Sequence, residues 1–128
     1  FHRVIDGFMA QTGDGQNMNG TGGSSKPDLI NEFSSTPHLR GTVSMARTAD
    51  PDSANSQFFI CFTEAPHLDG QYTAFGQVIK GLEIIDQIVY SDTPRKQNPG
   101  YRGPDGDNPI EKVEMKVKLA NRGDIEID

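Results

Sequence analysis

Apolar and polar residues alternate with different periods along this chain, and each period predicts an element. Residues 1–11 read as extended backbone, with Arg3, Ile5, Met9 and Gln11 on one parity and His2, Val4 and Phe8 on the other. If pairing runs on past the Asp6-Gly7 break, Arg3, Met9 and Gln11 look toward one face, whereas a bulge at Gly7 would disturb that register. Residues 12–27, rich in Gly, Asn and Ser, are loop. Val43-Ser44-Met45-Ala46 is a short strand, followed by a polar loop over 48–55. Gln57-Phe58-Phe59-Ile60-Cys61-Phe62 is the strongest strand signal. Its continuous apolar character implies burial on both faces, or one face in the core and one lining a pocket. Gln57 and Phe59 share one side of it, while Phe58 and Ile60 turn to the core. Residues 75–79 form another strand. Leu82, Ile85, Ile88 and Val89 recur at helical spacing opposite Glu83, Asp86 and Gln87, an amphipathic helix that ends before Pro94. Four prolines and three glycines make 94–109 a long exposed loop. Val113, Met115, Val117 and Leu119 alternate with charged residues and predict a half-buried strand. The sum is mainly antiparallel β with one clear helix, a barrel or a sandwich.

With 128 residues the chain is long enough for one domain and too short for two. A net charge of −6 argues against nucleic acid or an anionic membrane as the main partner. No stretch approaches the roughly 20 apolar residues of a membrane-spanning helix. The single cysteine, Cys61, lies in an apolar run and reads as a buried reduced thiol. An opening strand this apolar needs neighbours on both sides, so the sequence is expected to begin inside a domain. A missing leader then says nothing of compartment, although the cytosol is favoured.

Arg3 is the most informative polar residue, a permanent cation with a rigid fork of donors set among apolar and aromatic neighbours. Other motifs carry less. The glycines from Gly13 to Gly23 lack the Lys-Ser/Thr of a phosphate loop. His2, His38 and His67 lack metal-ligand spacing, and no cofactor is implied. Asp50 with Asp52, and Asp105 with Asp107, read as solvated turn residues. No serine shows a nucleophile elbow.

Several segments make sense together. Phe-His-Arg-Val-Ile-x-Gly-Phe-Met-x-Gln at 1–11, Asn-Gly-Thr-Gly-Gly at 19–23, Ser-Met-Ala-Arg at 44–47, Ser-Gln-Phe-Phe-Ile at 56–60 and His-Leu-Asp-Gly…Phe-Gly at 67–76 resemble the cyclophilins, peptidyl-prolyl cis-trans isomerases. The likeness covers residues 1–120 in the family's order, leaving 121–128 as a tail. It implies a closed eight-stranded antiparallel barrel with capping helices, whose first hairpin and helix would lie upstream of Phe1. It implies catalysis of X–Pro rotation in peptides and in unfolded or folding proteins, non-covalent and arginine-assisted, with no cofactor or metal. By the same resemblance Arg3 is the catalytic arginine and His2 its neighbour. Phe8, Met9, Phe59 and Leu68 wall the proline pocket, Gln11 and Gln57 hold the peptide, and the backbone of Ala46 and Arg47 pairs with it. Tyr72 stands where many members have histidine.

Departures from the family pattern refine these expectations. His67 replaces the tryptophan of cyclosporin-sensitive members, so that drug is expected to bind weakly. Arg47 replaces a common asparagine whose role belongs to the backbone, and Asp6 and Thr12 replace a proline and a glycine. The longer loop 48–55 and the low basic content resemble bacterial members. Residues 118–127 are similar to the hairpin with which cyclophilins begin; a second domain, a permuted chain or chance would each explain that. Two rival functions stay open. One is a proline-peptide binding scaffold without turnover. The other is a β-barrel hydrolase using loop carboxylates, which requires paired, pKa-shifted acids in one cleft.

Overall fold

A computed structural model of the chain describes residues 1–124, so the end of the predicted 121–128 tail lies outside the described residues. Five short strands form one antiparallel sheet: β1 (Arg3–Ile5), β2 (Met9–Thr12), β3 (Thr42–Met45), β4 (Phe58–Cys61) and β5 (Ala74–Gln77), in the order β1-β2-β4-β3-β5. The antiparallel β class matches the expectation. The described sheet has five strands and does not close on itself, against the eight-stranded closed barrel expected.

The opening eleven residues are a hairpin rather than one continuous extended segment. Gly7 adopts φ +70° and Phe8 N–H donates to the Ile5 carbonyl, which reverses the chain. Arg3 then faces Gln11, and Ile5 faces Met9, so the shared parity of these residues is kept by the turn. Across the next pairs Gln11 lies opposite Phe59, and Phe59 opposite Ser44. Directly opposed residues project to the same side of a sheet. One cross-strand row therefore runs Arg3, Gln11, Phe59, Ser44.

The two faces of the sheet carry two apolar clusters. On one side Val4, Ala10 and Ile60 pack against Ile85 and Val89 of helix α1 (Leu82–Val89), with Phe58 and Val43 beside them. On the other, Met9, Phe59 and Cys61 gather Ala65 and Leu68, with Ile5, Phe8, Ala46 and Tyr72 around them. The strand through Phe59 thus has core on one face and a pocket wall on the other, as its sequence allowed.

Two expectations change. Residues 94–109 contain a short helix, α2 (Pro94–Gln97), where Thr93 Oγ1 accepts from the Lys96 N–H at 3.2 Å and Pro94 occupies the first turn. Lys96 in turn donates to the Val89 and Ser91 carbonyls at the end of α1 and pairs with Asp6 in the hairpin turn at 2.7 Å. The loop is also structural further on, because the Asp107 carbonyl accepts from Val4 N–H. The predicted strand at 113–119 belongs to no ladder, with Val117 78% and Leu119 103% exposed. Alternation supplies an apolar face, but a strand exists only where another edge takes up its backbone groups. Among the described strands none does so.

Gly13 ends β2 at φ +97°, and a Cβ there would overlap the Ser56 carbonyl oxygen. Gly13→Ala should lower stability by about 2 kcal/mol or more, read as a lower urea midpoint with an unchanged slope.

Candidate active site

The face carrying the row from Arg3 to Ser44 holds an apolar cluster with a polar margin. Met9, Phe59 and Leu68 are buried in it, and Phe8 is part-buried beside them. The 3-10 turn Pro66–Leu68 delivers Leu68 inward and leaves His67 exposed at the rim, its ring 5.6 Å from that of Phe8. Tyr72 meets Phe59 edge to face at 5.9 Å. The cluster is therefore built of rings and a thioether.

Along its polar margin runs a line of side-chain amides. Arg3 Nη1 donates to Gln11 Oε1 at 3.3 Å, and Gln11 Nε2 donates to Gln57 Oε1 at 2.9 Å. Gln57 Nε2 donates onward to the carbonyls of Gly20 (3.0 Å) and Gly22 (2.7 Å). Arg3 itself is exposed, at the solvent end of that line.

Besides the backbone role expected of it, Arg47 contributes through its side chain. Its guanidinium lies 4.5 Å from the Tyr72 ring centroid and 5.6 Å from that of Phe33. It donates to the Gln71 carbonyl through Nε and Nη2, and to Thr48 through Nη1. Three loops are tied together at this edge. Ala46 packs against the apolar cluster and its N–H donates to the Gln57 carbonyl at 3.0 Å.

His2 stands apart from the residues with which it was grouped. It lies on the opposite parity to Arg3, 7% exposed, with Nε2 lacking a hydrogen-bond partner among the described residues. It lines a separate groove of about 760 Å³ with Phe1, Met18 and Phe58. Burial pushes its pKa below the ordinary histidine value.

The sequence offers almost no sign of the support behind Phe59. His38 is buried, and its ring lies nearly parallel to that of Phe59, with centroids 6.2 Å apart. Its Nδ1 lies 3.0 Å from Asp69 Oδ1 and its Nε2 2.8 Å from Ser44 Oγ. These three groups are ordered as in a serine hydrolase, yet Ser44 is fully buried and cannot meet a substrate. The line is a buttress. The polar Ser44 inside an apolar strand was its only local signal.

A hydrolase with paired loop acids finds no support. The displaced carboxyl pKa values, at Asp14, Asp52 and Asp69, all move downward under the pull of hydrogen-bond donors. Asp52, for example, accepts from the backbone and side chain of Asn31. Among the described residues no group of three or more His, Cys, Asp or Glu side chains could hold a metal ion, and no helix is long and apolar enough to cross a membrane. Cys61 is buried, and burial followed by the Asp69 charge pushes its thiol up to about 11.

Comparison with known proteins points one way. Residues 1–117 match the model of the family described as "Cyclophilin type peptidyl-prolyl cis-trans isomerase/CLD". The chain is 50% identical over 115 residues to a protein of Brucella abortus named "Probable peptidyl-prolyl cis-trans isomerase", covering 82% of this chain and 58% of that protein. It is 46% identical over 92 residues to human "Peptidyl-prolyl cis-trans isomerase-like 3", covering 69% and 56%. Identity to "Peptidyl-prolyl cis-trans isomerase" of Helicobacter pylori is 43% over 96 residues, covering 72% and 57%. The chain thus spans little more than half the length of these relatives.

The buttress makes a stability prediction. His38→Phe keeps a ring against Phe59 but strips both nitrogens, leaving Ser44 Oγ without its buried partner. The cost should be about 1–3 kcal/mol in chemical denaturation.

Proposed function

The chain belongs to the cyclophilin-type peptidyl-prolyl cis-trans isomerase family, and from that premise we propose that it accelerates rotation about X–Pro bonds in peptides and in unfolded or folding proteins. The observation that carries this reading is the placement of the exposed Arg3 on the sheet face that also carries the apolar cluster of Met9, Phe59 and Leu68. The fold reading that accompanies it is the closed eight-stranded barrel, supported by the family match and by the uninterrupted antiparallel order of the five strands.

Rotation about an amide bond must break resonance, against a barrier of about 18–20 kcal/mol. The two X–Pro isomers differ by only about 0.5–1 kcal/mol, so both are populated and the barrier alone limits exchange. As the bond twists, the prolyl nitrogen pyramidalises and regains its lone pair. A donor aimed at that nitrogen stabilises the twisted state and does little for the planar one, which is the condition for catalysis. Arg3 is that donor. Gln11 engages one of its N–H groups, and the fork has others to offer the substrate.

The proline ring sits against Phe59, Met9 and Leu68, with Phe8 at the edge. Gln57 and the backbone of Ala46 and Arg47 hold the flanking peptide. Tyr72 closes the rim, kept in place by Phe59 and by the Arg47 guanidinium. Nothing in this sequence of events transfers a proton or forms a covalent bond. His67, in place of a large indole, offers cyclosporin a smaller apolar surface, so weak binding of that drug belongs to the same reading.

Arg3→Ala should lower kcat/KM for an Ala-Pro peptide about 10²–10³-fold. Arg3→Lys should recover little of it, because an ammonium lacks the fork. The circular dichroism spectrum should be unchanged, since Arg3 is exposed. An undiminished rate in Arg3→Ala would remove Arg3 from the mechanism. A wild-type protein that binds proline peptides without turnover would favour the scaffold reading.

The pH profile is a second check. Burial lowers the pKa of His2 and so keeps it neutral near pH 7. The rate should therefore be flat between about pH 6 and pH 8, and a steep change there would bring a histidine into the chemistry.

A further inference from the structure

Among the described residues Asp14 is the one carboxylate with a buried side chain, 5% exposed and outside the apolar cluster around Phe59. Five backbone N–H groups converge on it. Oδ1 accepts from Gln16 (3.1 Å) and Asn17 (2.9 Å), and Oδ2 from Asn19 (3.3 Å), Gly20 (3.0 Å) and Gly22 (2.9 Å). Burial alone would raise its pKa, but the donors of Asn17, Gly22, Asn19 and Gly20 outweigh burial and hold it well below the usual carboxylate range. The loop is wound as tightly as its glycines permit. A Cβ on Gly20 would come within 2.8 Å of the His2 ring, and one on Gly22 within 2.7 Å of Asp14 Oδ1.

This hub bears on Arg3 through the direction of hydrogen bonds. The Gly20 carbonyl lies between two of the amides that Asp14 gathers and the Gly22 carbonyl directly follows the last of them, and both accept from Gln57 Nε2. Two acceptors at that end force Gln57 to present its oxygen to Gln11. Gln11 must then present Nε2 to Gln57 and its own oxygen to Arg3. An amide flip anywhere along the line would set donor against donor, because a guanidinium cannot accept.

We propose that Asp14 is a positioning residue for Arg3: by winding the 14–23 loop around its carboxylate it fixes the Gly20 and Gly22 carbonyls, and these set the polarity of the Gln57–Gln11 line that holds the guanidinium. An asparagine at this position has one acceptor oxygen for two separate sets of donors, so Asp14→Asn must release one set. With the carbonyls displaced, Gln57 and Gln11 sample both amide orientations, and Arg3 loses its anchor while remaining in the chain. For its rate readout the proposal rests on the isomerase reading of Arg3; for its spectroscopic readout it does not.

The test compares wild type, Asp14→Asn, Gln57→Leu and the double variant in the intact protein, with core methyl signals as the control for folding. In Asp14→Asn the side-chain amide resonances of Gln11 and Gln57 should shift or broaden. The kcat for an Ala-Pro peptide should fall about tenfold and KM should rise by a smaller factor, because the orientation of Arg3 is lost more than the peptide contact of Gln57. Adding Asp14→Asn to Gln57→Leu should cost less than about a further twofold, since the line is already cut. Unmoved amide signals, a wild-type kcat, or fully additive losses would each overturn the proposal. Should Asp14→Asn fail to fold, Gly22→Ala crowds the carboxylate from the other side and must produce the same amide shifts and the same loss, or the proposal falls. A wild-type protein without isomerase activity would overturn the functional reading alone, and the amide signals would then decide the relay.

Discussion

Register between strands governs this molecule more than any single contact. Arg3 opposes Gln11, Gln11 opposes Phe59, and Phe59 opposes Ser44, so four residues from four strands project along one line on one face. Because side chains alternate sides with every residue, a slip of one position in β4 would send Phe59 to the helix side and Ile60 to the face of Arg3. The apolar cluster of Val4, Ala10 and Ile60 against α1 resists that slip, since it buries the opposite parity of the same strands. The core on one face is therefore what holds the chemistry on the other in place.

Polar groups behind the site do the finer positioning. His38, Ser44 and Asp69 stiffen the back of Phe59, and Asp14 organises the loop that meets Gln57. Both assemblies satisfy buried donors and acceptors in one arrangement, and a buried polar group left unpaired is costly. That penalty is what makes such assemblies specific. Apolar walls tolerate small shifts of a ring, whereas a line of amides with a required direction does not.

Much of this organisation follows from local pattern. The parities of Arg3, Met9 and Gln11, the opposed faces of Phe58 and Phe59, and helix α1 are each encoded within a few residues. Local pattern also identified the motifs by which the chain resembles its family. It failed where an element depends on distant partners. Helix α2 was hidden by the prolines around it, although Thr93-Pro94 is a helix start, and Val113 to Leu119 has the alternation of a strand without a strand to join.

What the amino-acid sequence determined by itself is therefore periodicity, the apolar faces, and the residue types able to bind and catalyse. Tertiary structure alone decided that Arg47 braces Tyr72, and that His38 and Asp14 serve as supports. The physical reason is separation along the chain. Periodicity arises from neighbours a few residues apart, while His38 and Asp69, or Gly22 and Gln57, meet only after the sheet has set their distance. No local rule distinguishes a polar residue that will be buried and paired from one that will face water.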